Sequence, residues 1–130
     1  MNTTCKLFPV RYWICVVSLM LSFIGKSNAA TLQVPADYPT IQAAVDKAQS
    51  GDLIIIGPGI YSENILINGK DISLRGKEIG VTIINPGSSG IGVKAENCRL
   101  TIKDLAIDNA ETGLRMDAVD ATISNLKIHQ

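Results

Sequence analysis

After residue 29 this chain contains no tryptophan, a single cysteine (Cys98) and a single histidine (His129). One thiol closes no intramolecular disulfide and builds no thiolate metal cluster, so neither a disulfide scaffold nor a cysteine zinc site is expected, and no metal or cofactor is expected. Positive charge is short as well. Lys6, Arg11 and Lys26 all precede residue 30, which leaves nine basic residues against twelve acidic ones, a formal charge of −3. Without a basic excess to neutralise phosphates, a nucleic-acid partner is not expected.

The first 29 residues form a unit of their own. Lys6 and Arg11 supply a positive start, Trp13 to Gly25 an apolar stretch, and Ser27-Asn28-Ala29 the small residues that a signal peptidase inspects, so residues 1–29 read as a signal peptide cleaved after Ala29. The apolar stretch falls well short of the roughly 20 residues that cross hydrocarbon as a helix. A secreted or periplasmic protein is expected, with no membrane contact after cleavage. About 100 residues then remain, enough for one small domain.

Within that domain, residues 36 to 50, "ADYPTIQAAVDKAQS", carry the helical pattern. Thr40 is placed as the N-cap, Ile41, Ala44, Val45 and Ala48 share a narrow apolar face, and Ser50-Gly51 supplies the stop. After Gly51 the chain reads as short strands punctuated by Gly, Asn, Asp and Pro: Leu53 to Ile56, Ile65 to Ile67, Ile72 to Leu74 and Val81 to Ile84. In "IIIGPGIYSENILI" the Gly-Pro-Gly marks a corner between strands, with Tyr61 packed there and its hydroxyl reaching water.

Two later segments align without a gap, "GVKAENCRLTIKDLAIDN" from Gly92 and "GLRMDAVDATISNLKIHQ" from Gly113. The alignment sets Val93 on Leu114, Ala95 on Met116, Cys98 on Val119, Leu100 on Ala121, Ile102 on Ile123, Leu105 on Leu126 and Ile107 on Ile128. A period of 21 holding several strands marks a solenoid. Leucine-rich repeats keep a fixed leucine spacing absent here, and ankyrin or tetratricopeptide repeats need helices. The expected fold is therefore an all-β solenoid, a parallel β-helix, with a short N-terminal capping helix. One coil alone does not offset the entropy of ordering its backbone, so coils must stack, and the first needs a cover. The domain reads as residues 30–130, with a cap over 34–50 and about three and a half coils over 51–130, an incomplete set. An uncovered last coil at the C-terminal end is expected to self-associate.

The stretch "VPADYPTIQAAVDKAQSGDLIIIGPGIYSENILI", followed by "KDISLRG" and "VTIIN", resembles the N-terminal portion of the pectin-lyase-like right-handed parallel β-helix superfamily, which includes pectinesterases, pectate lyases, alginate epimerases and periplasmic proteins with NosD-like repeats. The resemblance covers residues 34 to about 85 and implies a right-handed coil and an association with polysaccharide. It does not bring a reaction, because this portion is shared by enzymes and non-enzymes. The downstream arginine-tryptophan motif of pectinesterases and the aspartate cluster with which lyases hold calcium do not occur in this sequence. The chain is expected to be non-catalytic as it stands. A front portion of a pectinesterase or lyase type of enzyme, and a structural surface module without a ligand, remain the alternatives.

On the 21-residue register Lys94 stacks on Arg115 and Glu96 on Asp117, all outward. This strip is the candidate binding site for an acidic polysaccharide, with the arginine fork suited to carboxylates. The plain alternative is a solvated face on which unlike charges two residues apart offset the like-charge stacks. Glu96 and Asp117 could also pair as acid and base or approach calcium, but two carboxylates fall short of six oxygens. Catalytic residues are not assigned. His129 stacks on Asp108, Cys98 lies in the bore as a small apolar group, and Asp104, Asn109 and Asn125 are expected to make turns through their own side chains.

Overall fold

The computed structural model describes residues 28–78 and 80–130, so the proposed signal peptide lies almost wholly outside the described residues. Alternation determines the strands. In β2 (Leu53–Ile56) the side chains of Ile54 and Ile56 are sealed while Leu53 and Ile55 are half-buried, the two-residue period of a strand with one face on a core. The same pattern runs through β1 (Thr31–Val34), β4 (Ile65–Asn68), β5 (Ile72–Gly76) and β6 (Thr82–Ile84), with the short β3 (Gly59–Tyr61) between β2 and β4.

The last two elements, β7 (Ile91–Asp108) and β8 (Thr112–His129), are 18 residues each and bend round the solenoid instead of running straight. β7 meets β4 through Val93 to Glu96, β5 through Leu100 to Lys103, and β6 through Ala106 and Ile107. Its corners fall at Asn97 and Asp104, both in the left-handed region, and those of β8 at Ala118 and Asn125. Asparagine and aspartate tolerate that region better than most residues, because their short polar side chains bond locally. Here the Asn125 side chain donates to the Asp104 carboxylate one coil back (2.9 Å), and that of Asn109 to the side-chain amide oxygen of Asn85 (3.3 Å), so these side chains link coils.

All strand pairs are parallel, and the result is a parallel β-solenoid of about five turns with one short helix near its start. The β7–β8 register reproduces the 21-residue alignment pair for pair, from Val93 opposite Leu114 to Ile107 opposite Ile128. Earlier coils are less regular. Thr31 opposes Leu53, Leu53 opposes Ser73, Ser73 opposes Thr101 and Thr101 opposes Thr122, so successive coils advance by 22, 20, 28 and 21 residues. A strand that the sequence pattern does not predict, β1, ends on Val34, where the cap was expected to start, and forms the first rung of the sheet.

Inside, Leu32, Ile54, Leu74 and Ile102 stack in one column, and Ile65 on Val93 and Ile84 on Ile107 make others. Gly76 is required by close approach, since a Cβ there would lie 2.0 Å from the Asp104 carbonyl oxygen of the next coil. Tyr61 packs at the Gly-Pro-Gly corner, its ring folded back over the corner it follows so that the hydroxyl donates to the Gly57 carbonyl (3.1 Å). Among the described residues no helix is long and apolar enough to cross a membrane.

The helix α1 (Ile41–Lys47) closes the first coil. Its N-cap Thr40 accepts from the Ala43 amide (3.1 Å), and Ile41, Ala44 and Val45 are buried, as the apolar spacing implied. Both ends are held from the coil below. The Glu63 carboxylate accepts from the amides of Ile41 (2.9 Å) and Gln42 (2.8 Å), two N-terminal donors that α-helical bonding leaves unsatisfied. The Lys70 ammonium donates to the carbonyls of Val45 (2.9 Å), Asp46 (3.3 Å) and Ala48 (3.1 Å) at the other end.

Candidate functional site

The four candidate residues on the surface strip sit where the register placed them, Lys94 opposite Arg115 and Glu96 opposite Asp117, on the sheet made by β4, β7 and β8. Each cation is bonded to the carboxylate two residues along its own strand, Lys94 to Glu96 at 2.6 Å and Arg115 to Asp117 at 3.4 Å. An anionic ligand at this strip must compete with a carboxylate already in place for both cations. The pair Glu96 and Asp117 is in turn held by cations and not by each other, and no group of three or more His, Cys, Asp and Glu side chains is arranged to hold a metal among the described residues.

A second face carries polar groups that the sequence did not bring together. The outward residues of the sheet formed by β1, β2, β5, β7 and β8 fall into two columns. One column holds Ser73, Thr101 and Thr122, and its neighbour holds Arg75, Lys103 and Ser124. Rungs of a sheet repeat at about 4.8 Å, so over β5, β7 and β8 hydroxyls and cations form a two-column grid along the solenoid axis, bounded on β2 by the apolar Leu53 and Ile55 of the same columns. Lys103 makes no ion pair among the described residues, and Arg75 has only a distant one, 3.8 Å to Asp104, with its side chain about half exposed.

This face is edged by two clefts. One, of about 350 Å³, is lined by Ser50, Asp71, Ser73, Arg99 and Thr101. The other, of about 470 Å³, lies at the opposite edge, against Pro35, Ile55, Pro58, Arg75 and Lys77. In the first, Asp71 accepts from the Arg99 amide (2.7 Å), which leaves the Arg99 guanidinium outward beside Asp120 (3.4 Å). Hydroxyls and cations suit a hydroxylated anion. The sequence concealed the grid because Arg75 and Lys103 are 28 residues apart, outside the 21-residue period.

Neither of the remaining titratable candidates joins these faces. Cys98 is buried beneath the corner before the grid, and burial first, then the nearby Asp71 carboxylate, pushes its thiol up, against a smaller downward pull from a backbone hydrogen bond of Glu96. His129 is the register partner of Asp108, where the structure shows a backbone bond from the Asn109 amide to the His129 carbonyl (3.1 Å). A third, larger hollow of about 790 Å³ near the N-terminal rung includes Asp52, whose two oxygens already accept from the Ala30 and Gln49 amides.

Comparison with known proteins finds partial relatives. The chain is 33% identical over 124 residues, 91% of its length, to a cell surface glycoprotein of Methanothermus fervidus. It is 40% identical over 77 residues, 57% of its length, to the probable pectinesterase/pectinesterase inhibitor 17 of Arabidopsis thaliana. It spans 20% of the first relative and 15% of the second. No protein-family model matches the chain, and no solved structure does.

Proposed function

We propose that this chain is a pectin-lyase-like β-helix element that works outside the cell, secreted or periplasmic, and binds acidic polysaccharide on an outer face without catalysing a reaction on it. The observation that carries this reading is the grid of Ser73, Thr101, Arg75 and Lys103, in which cations with weak or no carboxylate partners stand beside hydroxyls on a rigid sheet. A polyuronate offers carboxylates to the cations and hydroxyls to the serine and threonines. The similarity to a cell surface glycoprotein and to a pectinesterase/inhibitor supports an extracellular, carbohydrate-associated setting. The strip at Lys94, Glu96, Arg115 and Asp117 contributes less on this reading, because its cations are neutralised along their own strands.

Affinity electrophoresis through gels containing polygalacturonate or a neutral glucan tests it. Retardation is expected in the acidic gel alone, weakening with salt, and removed by Arg75→Ala with Lys103→Ala but not by Lys94→Ala with Arg115→Ala. Equal retardation in both gels, or none in either, would sink the proposal. The 40% identity to the pectinesterase/inhibitor favours a second reading, the front portion of an esterase-type enzyme. That reading requires release of methanol from methylated pectin by a longer protein containing this segment and none by residues 30–130.

A further inference from the structure

Asp52 is the one charged side chain that the fold seals among the described residues, at 7% exposure. It joins three segments. Its Oδ1 accepts from the Ala30 amide (2.8 Å), just before β1, and its Oδ2 from the Gln49 amide (2.8 Å), just after α1. Its own amide donates to the Gln49 carbonyl (3.1 Å), and Leu53, next to it at the start of β2, donates to the Ala30 carbonyl (2.9 Å). One carboxylate therefore fastens the first rung of the solenoid to the exit of its lid.

What Asp52 lacks is a counter-charge. A carboxylate withdrawn from water is costly unless a cation stands against it, and Asp52 makes no ion pair among the described residues. Lys47 lines the same hollow without bonding to it, and the Asp37 carboxylate there accepts from the Gln33 amide. Two neutral amides are a weak answer to a sealed negative charge. Ala29 and Ala30 are exposed and lie outside regular secondary structure, and the bond between them is the one at which the signal-peptide pattern ends.

We infer, on the reading of residues 1–29 as a signal peptide, that hydrolysis of the Ala29–Ala30 bond supplies the missing cation: the new α-ammonium of Ala30 pairs with Asp52 and completes the first coil. An endopeptidase adds water across the bond. The water oxygen goes to the Ala29 carbonyl carbon, which leaves as a carboxylate on the removed peptide, and both water protons go to the Ala30 nitrogen. That nitrogen already stands 2.8 Å from Asp52 Oδ1, inside the range of about 2.7–2.9 Å for ammonium–carboxylate bonds, so a neutral donor becomes a charged one without movement of the chain. The position of the cut is decisive. A cut before Ala29 leaves a neutral amide at Ala30, and a cut after Ala30 removes the nitrogen altogether. Processing thus locks the lid to the first rung once the chain has been exported.

Mass spectrometry of the full chain after expression with export in a bacterial host should find Ala30 as the first residue. Urea unfolding then compares chains that begin at Ala30 and at Ala29, both of which contain the helix and every strand described. They differ at Asp52 by a charged against a neutral donor. The unfolding equilibrium constant should be about fivefold smaller for the chain from Ala30, and Asp52→Asn should erase the difference. Should Asp52→Asn fail to fold, hydrogen exchange at the Gln49 amide reads the same contact and should be slower in the chain from Ala30. An uncut chain or a different first residue would overturn the processing step. Equal stability of the two chains, equal exchange at Gln49, or a difference that persists in Asp52→Asn would overturn the ion pair and leave the extracellular reading standing.

Discussion

Ile107 is sealed in the bore, while Ile128, its register partner one coil later, is 45% exposed. The same side chain in the same position of the repeat therefore contributes unequally, because what it buries depends on whether a coil lies beyond it. Ile107→Ala should cost about 3 to 5 kcal/mol and Ile128→Ala about 1 kcal/mol or less in the single copy. Urea unfolding of the two variants at low protein concentration checks the difference. Equal losses would show that the last coil is covered.

Glu63 and Lys70 hold the lid from opposite ends, so each should matter more than its surface position suggests. Lys70→Met leaves three carbonyls without their shared donor, and Glu63→Gln replaces a carboxylate that accepts twice with an amide that has one acceptor oxygen. Each variant should lose about 1 to 3 kcal/mol. Hydrogen exchange at Ile41 and Gln42 should quicken in Glu63→Gln before exchange in β5 does, which separates a loosened lid from a loosened solenoid.

Ala118 sits at φ 54, a left-handed conformation that costs an ordinary L-residue about 1 to 2 kcal/mol. Twenty-one positions earlier Asn97 occupies the same corner at φ 50. Ala118→Gly or Ala118→Asn should raise the denaturation midpoint, by about 0.5 to 1 kcal/mol in stability, with an unchanged m-value. A loss on either substitution would mean that the Ala118 methyl packs against something the corner needs.

Alkaline pH should weaken the fold through two groups. Burial first, and nearby carboxylates second, hold the protons of Cys98 (Asp71) and Tyr61 (Glu63) more tightly in the folded than in the unfolded chain. A group whose folded value is raised contributes stability that is complete below its unfolded value and lost as pH rises through the folded one. Stability measured by urea should therefore decline above the ordinary thiol and phenol ranges, less steeply in Cys98→Val and Tyr61→Phe. A thiol reagent at mildly alkaline pH should modify Cys98 at least about tenfold more slowly than it does in urea. Rapid modification in the native protein would contradict the buried placement.

What the amino-acid sequence determined by itself is the repeating part of this protein. Strand alternation, the helix cap at Thr40 and the pairing of Ile102 with Ile123 are set by patterns that are local or strictly periodic, and such patterns survive in one dimension. The tertiary structure alone decided which residues meet across irregular corners. Corner segments lie on the surface, where added residues cost little and leave no period, so the 28-residue step that sets Arg75 beside Lys103 had no signature. Similarly, Glu63 and Lys70 lie more than twenty residues from the helix ends they hold, and Tyr61 turns to Gly57 because the ring folds over its own corner. The strip at Lys94 and Arg115 was legible because it falls inside the regular coils; its neutralisation by Glu96 and Asp117 is a matter of rotamer and distance, which only the folded chain fixes.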